Sequence, residues 1–381
     1  MSSSAIFAIQ TIAGVQSPAL LAPNVKEAIV TAFWPYLDQH RISLLEYSAY
    51  FTYFRMTIGK LIFGERYINT QIFAAQTPEE VGEMVKCIRE HGDKPREAVM
   101  TEMQKKFPNS DEAQINHSLE LVSRLWLTVH ITSTKCRIGP TGSEVTPVPW
   151  EDSVSLRATI SNCFRKSELM PTFREARIDP GFTMANLSYI CGIQVRWTDN
   201  LKDHLAYDRL MDVVWIYPHK ICLVNHQGGG IFSDDFLIET LRTLDLLFPM
   251  DKSTKTYLEK AGHTFNRTHT HYARRAEDIT EFHYWRKAVA ELHDVFNRTP
   301  SKPYQLWHDR RNPMQWWTFW LAALIALLTV VFGIISSYIA FKQAALSEVA
   351  NQLSEKSYRL SILQACAQNS SFCHLQLRLA I

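Results

Sequence analysis

The sequence predicts a mainly α (α+β) protein with a helical N-terminal lobe, a second α+β lobe holding a few short strands, and one C-terminal transmembrane helix. Three observations predict it. Apolar residues recur every three or four positions through the first third, short β-branched and aromatic runs punctuate the middle, and Trp316 to Phe341 pass without one charge. The divisions expected from these patterns are a helical lobe over 1–134, a linker over 135–152, an α+β lobe over 153–312, a span over 316–341 and a tail over 342–381.

Thr77-Pro78-Glu79-Glu80 joins an N-cap residue, a first-turn proline and an N3 glutamate, a capping box that opens a helix. Val81, Met84, Val85 and Ile88 then follow at helical spacing until Gly92. Pro95 opens a second helix through Val99 and Met103 toward Lys106. Ser110, Asp111 and Glu112 open a third, whose stripe runs through Ile115, Leu119, Val122, Leu125, Trp126 and Val129. "WLTVHITS", 126–133, has the β-branched content of a closing strand. Three helices and a strand in that order are open to a winged-helix-like lobe, an analogy of fold that licenses no DNA binding. "GPTGSEVTPVP", 139–149, lacks periodicity and marks the linker.

In the second lobe, Pro180-Gly181 marks a turn, and Met184–Cys191 reads as a short helix stopped by Gly192. "IQVRW" (193–197), "VVWIY" (213–217) and "ICLV" (221–224) read as strands. Ser233, Asp234 and Asp235 cap a helix carrying Phe236, Leu237, Leu241, Leu244 and Phe248. A last long helix is expected over Asp278–Asn297, from Phe282, Trp285, Val289, Leu292 and Phe296.

The uncharged run of 26 residues gives roughly 39 Å of helix at ~1.5 Å per residue, enough for a hydrocarbon core of about 30 Å. Trp316, Trp317 and Trp320 cluster at one end and Tyr338 and Phe341 at the other, as an aromatic belt requires. Arg310 and Arg311 flank the near end and Lys342 the far end. The near flank holds four Lys or Arg and the far flank three, a slight bias toward a cytosolic near side. "MSSSAIFAIQ" lacks the basic and apolar regions of a secretory signal, which agrees with that orientation. Beyond the span, Leu346, Val349, Leu353, Leu360 and Leu363 keep a heptad rhythm that Lys356 interrupts, a candidate coiled coil. Cys366 and Cys373 form a candidate disulfide and Asn369 a candidate glycan site, both suited to a lumenal or extracellular tail.

Met1–Gln315 carries 36 Lys+Arg against 36 Asp+Glu, so no basic surplus points to nucleic acid. No phosphate-binding, dinucleotide-binding, metalloprotease or serine-hydrolase motif is present. His263, His269 and His271 are dense, yet Arg267, Arg274 and Arg275 among them oppose a cation, so neither metal nor cofactor is expected. The five cysteines before the span form no C-x-x-C pair and read as reduced and buried. "RWTDNLKDHL", 196–205, is the densest polar stretch after a strand. Asp199 or Asp203 orienting His204 would make an acid–base pair there. The plainer reading, that Asp199 and Asn200 cap a short helix anchored by Leu201 and Leu205, is favoured because no nucleophile or oxyanion donor is identifiable nearby.

"FTMANLSYICGIQVRWTDNLKDHL", "ETLRTLDLLFP" and "LWHDRRNPMQWWTFWLAALIALLTVVFGIISS" resemble a family of uncharacterised filamentous-fungal proteins that pair a cytosolic-looking domain with a C-terminal membrane helix. The likeness covers Asp179 to Ser337, and it implies a single-pass protein without adding any catalytic residue. The expected function is a membrane-anchored interaction or scaffold module. Its partners would be the lipid bilayer, proteins of unknown identity, and further copies meeting through the tail or through Gly333, Ser336 and Ser337 of the span. A tethered enzyme centred on Arg196–His204 is the alternative.

Overall fold

The computed structural model describes residues 23–37, 47–63, 73–75, 78–133, 146–167, 177–262, 276–298 and 313–368. They are mainly helical, in two units that divide after His308. In the first unit the helices are α1 (Pro23–Phe33), α2 (Ser48–Phe63), α3 (Pro78–Glu90), α4 (Arg96–Lys106) and α5 (Glu112–Leu127). Next come β1 (Ile131–Ser133), β2 (Val148–Trp150), α6 (Leu156–Cys163) and α7 (Met184–Asn186), which continues as a π-turn to Cys191. The rest comprises β3 (Gln194–Trp197), β4 (Tyr207–Asp208), β5 (Val213–Ile216), α8 (Lys220–His226), α9 (Asp234–Leu247), α10 (Lys252–Lys260) and α11 (Arg286–Asn297).

The middle of this unit is α5. Asp111 accepts from the Gln114 backbone N–H at 2.7 Å, and Gln114 Oε1 accepts in turn from the Asp111 N–H at 2.9 Å, so the capping box fixes its start. Ile115 through Leu127 are then buried on almost every face, apart from the partly exposed His117. Such a helix must hide its own charges, and Glu120 does so by pairing with Arg124 one turn on. One apolar cluster, Ile29 to Phe296, packs around it. Gly82 lets α3 approach α1, because a Cβ there would sit 2.9 Å from that of Ala32.

β1 and β2 pair in parallel, with Ile131 opposite Val148 and Ser133 opposite Trp150. The end of the stretch expected to be linker is therefore strand. In the second sheet β5 lies between β3, parallel to it, and β4, antiparallel. Gly192, at φ 79°, ends the π-turn as the sequence expects of a C-terminal glycine.

Three expectations need correction. Ile221–Val224 is not a strand but part of α8, whose burial on most faces hides any helical period. The strand read from 126–133 begins only at Ile131, since α5 runs on through Leu127. The long helix over 278–297 is a 3-10 turn at Ile279–Glu281 followed by α11 from Arg286. The break has a cause: the buried Glu239 carboxylate accepts the backbone N–H groups of His283, Tyr284 and Trp285, each at 2.7 Å, which holds the chain out of a helix there.

The second unit is one helix, α12 (Pro313–Gln368). Its 56 residues give about 84 Å at ~1.5 Å per residue, and no Gly or Pro follows Gly333. The span and the candidate coiled coil are thus a single element. Asn369 and Cys373 lie outside the described residues, as does the side chain of Cys366.

Candidate functional site

The 196–205 stretch folds into a polar junction, but with partners other than those the sequence suggests. His204 is buried. Its Nδ1 accepts the Tyr217 backbone N–H at 3.3 Å, which leaves Nε2–H to donate to Thr243 Oγ1 at 2.8 Å. Burial pushes its pKa down to about 3, and the ring stands against Trp285 with centroids 4.8 Å apart. A neutral imidazole with both nitrogens committed positions backbone rather than moving protons.

Asp203 points away from it. Its Oδ2 accepts from Asn200 Nδ2 at 2.8 Å and from the Thr146 N–H at 3.3 Å. Asn200 also donates to Thr146 O and accepts from His130 N–H, both at 3.0 Å. The pair therefore ties together the two chain segments that lead into the β1–β2 sheet. Asn200 is not the side-chain cap expected of it, and the following turn is 3-10, although Leu201 and Leu205 are indeed buried anchors.

Asp199 pairs instead with His219, which the sequence reading passed over, at 2.9 Å from Oδ1 to Nε2. The parallel register that sets Trp197 beside Ile216 brings the two together just past the strand ends. Asp199 is about half exposed and His219 is buried, with its Nδ1 unpartnered. The His219 ring lies among Tyr53, Tyr217 and Tyr50, with centroids 5.5, 5.2 and 6.5 Å away. Those phenols are occupied. Tyr53 donates to Arg124 O at 3.0 Å, Tyr50 to Leu125 O at 2.9 Å, and the Tyr217 hydroxyl meets Thr128 Oγ1 at 2.6 Å. Burial raises all three pKa values, and it raises the nearby Cys222 thiol as well. At its rim the junction reaches solvent through Asp199, which meets His219 there. Its inner hydroxyls and thiol stay protonated, which disfavours nucleophilic work.

A separate cleft of about 220 Å³ is lined by Arg157, Phe164, Phe232, Phe236 and Tyr284. The triple glycine borders it, but the Gly228 N–H donates to Asp234 Oδ1 at 2.9 Å, so a carboxylate already takes that donor. Among the described residues no group of three or more His, Cys, Asp or Glu could hold a metal ion. His263, His269 and His271 lie outside them. Cys87 and Cys222 are buried, while Cys163 and Cys191 are only half-buried; Cys136 lies outside the described residues.

Helix α12 carries the other sequence-predicted residues. Trp316 meets Trp317 and Trp320 at centroid distances of 5.3 and 6.0 Å, forming one aromatic end. At the other, Lys342 Nζ sits 5.5 Å from the Tyr338 ring centroid, and Phe341 is exposed. Between them Thr329 Oγ1 donates back to Ile325 O at 2.8 Å, satisfying the hydroxyl without water. The helix is long and apolar enough to cross a membrane, and none of its most apolar stretch is buried. Compared with protein-family models, with curated proteins and with solved structures, the chain matches none.

Proposed function

We propose that this chain is a single-pass membrane protein whose large N-terminal domain lies on the cytosolic side and meets protein partners at the bilayer surface. The observation that carries the reading is α12: a helix with 26 successive uncharged residues, apolar on every face and aromatic at both ends. Lipid is the solvent in which such a surface costs nothing. Tethering concentrates the domain near its partners without requiring chemistry. The tail would then stand on the lumenal or extracellular side. The rival, an enzyme centred on Arg196–His204, draws less support because His204 is enclosed and neutral.

Alkaline carbonate washing of membranes tests the anchor: the full-length chain is expected in the pellet, and its release would overturn the reading. Glycosidase treatment tests the orientation. A mass shift abolished by Asn369→Gln supports the non-cytosolic tail, and one abolished by Asn186→Gln reverses the topology. Pull-down of the detergent-solubilised chain with mass spectrometry tests the interaction role, which fails if nothing specific to the large domain is recovered.

A further inference from the structure

We infer that the part of α12 beyond the bilayer pairs in parallel with a second copy of this chain, along a seam formed by Leu346, Val349, Leu353, Leu360 and Leu363. The inference rests on the spanning reading above. A 30 Å hydrocarbon core accommodates only about 20 residues, so the helix beyond Lys342 stands in water. There the five seam residues are between 60% and 69% exposed. Ser347, Glu348, Asn351, Ser354, Glu355 and Ser361 take the opposite side. Tyr358 and Ile362 also lie on that side, but only the five-residue stripe recurs turn after turn, and it is the face that calls for a cover.

Three features commit that cover to a second copy. A helix that leaves the bilayer along its own axis cannot lie on the membrane surface without a break, and α12 is unbroken to Gln368. A span also puts the large domain on the other side of the membrane, away from the seam. A helix rising parallel from the same bilayer fits the length and direction of the stripe, and a second copy does so at matching height. The flanks then suit self-pairing. With Leu346 taken as heptad position a, the e and g positions are Ala345, Ala350, Gln352, Ser357, Arg359 and Gln364 beside Cys366. Only Arg359 is charged, and it pairs with Glu355 of its own helix at 2.7 Å. In a parallel, in-register dimer, no like charges meet across those flanks, and Ala345 and Ala350 let the backbones close.

The same register runs on into the span through Leu321, Ile325, Leu328, Phe332, Ile335 and Ile339, and it meets one charge, Lys342, where the helix leaves the bilayer. Lys356 falls on the seam, as does Lys342 at the membrane edge. Each weakens the pair while restricting its register, as polar core residues do in a coiled coil.

The test uses the full-length chain in membranes, with Cys366→Ser and Cys373→Ser as background. Val349→Cys places a thiol on the seam and Glu348→Cys one on the opposite side. Mild oxidation is expected to cross-link Val349→Cys into a species of twice the 43.9 kDa chain. Glu348→Cys is expected to give roughly tenfold less, since its thiols face away from the partner. Adding Lys356→Leu is expected to raise the seam product further. Equal yields at both sites overturn the inference. So does no product from chain that stays in the carbonate pellet, or a product whose mass shows a different protein. A chain released by carbonate that still cross-links selectively at Val349→Cys would remove the span and keep the pair.

Discussion

Trp34, Trp126 and Trp150 are at most 2% exposed in the large domain, whereas Trp317 on α12 is 67% exposed. The same contrast holds for charge pairs at one helical spacing. Glu120 and Arg124 are almost fully enclosed, while Glu355 and Arg359, also four apart, are each more than half exposed. Residue type and spacing are alike in the two regions, and what differs is the cover: the chain itself encloses the first set and leaves the second open. In the domain, apolar side chains turn toward each other and every enclosed charge must be answered locally. On α12 they turn outward, which is stable only where the surroundings are themselves apolar or another helix supplies a cover.

The largest expected effect breaks this contrast on the helix side. Leu327→Lys combined with Val331→Lys places two ammonium groups at mid-span, at about 3 kcal/mol each. The chain is expected to shift from the carbonate pellet to the supernatant, while the melting temperature of the large domain holds. On the domain side, Glu120→Ala leaves Arg124 buried without its carboxylate and is expected to cost about 3–5 kcal/mol, seen as a lower melting temperature with membrane retention unchanged.

Acid sharpens the comparison. Burial pushes the pKa of His204 down to about 3 and of His226 to about 4, from an ordinary 6.5. The unfolded chain therefore takes up protons near pH 6.5 that the native domain refuses until about 3 or 4. Stability is full above pH 7 and falls as pH drops, by about 2 kcal/mol per histidine at pH 5. Melts of the detergent-solubilised chain between pH 7 and 5 check this, and a flat profile would refute it. The smallest effect belongs to the exposed pair. Glu355→Ala is expected to change stability by no more than about 0.5 kcal/mol, with helicity by circular dichroism unaltered.

Much of this architecture was legible where the cause is local. The α5 stripe, the Gly192 stop and the strands at 194–197 and 213–216 follow from periodicity and turn chemistry. The errors arise where the cause is distant in sequence. The 3-10 turn and gap before α11 depend on Glu239, more than forty residues away, capturing three backbone N–H groups. The Asp199–His219 pair depends on a strand register that no single stretch displays. His204 looks reactive beside Asp203 in the sequence, yet a polar side chain two helices later, Thr243, accepts its Nε2–H hydrogen bond. α8 misled for another reason: enclosed on most sides, its apolar residues show neither of the two diagnostic periods.

The absence of any helix breaker between Ile334 and Gln368 has a mechanical consequence. A shaft without a joint transmits torque along its length. Twisting or tilting one end of the helix must turn the other, so Ile334 and Gln368 move as parts of one rod.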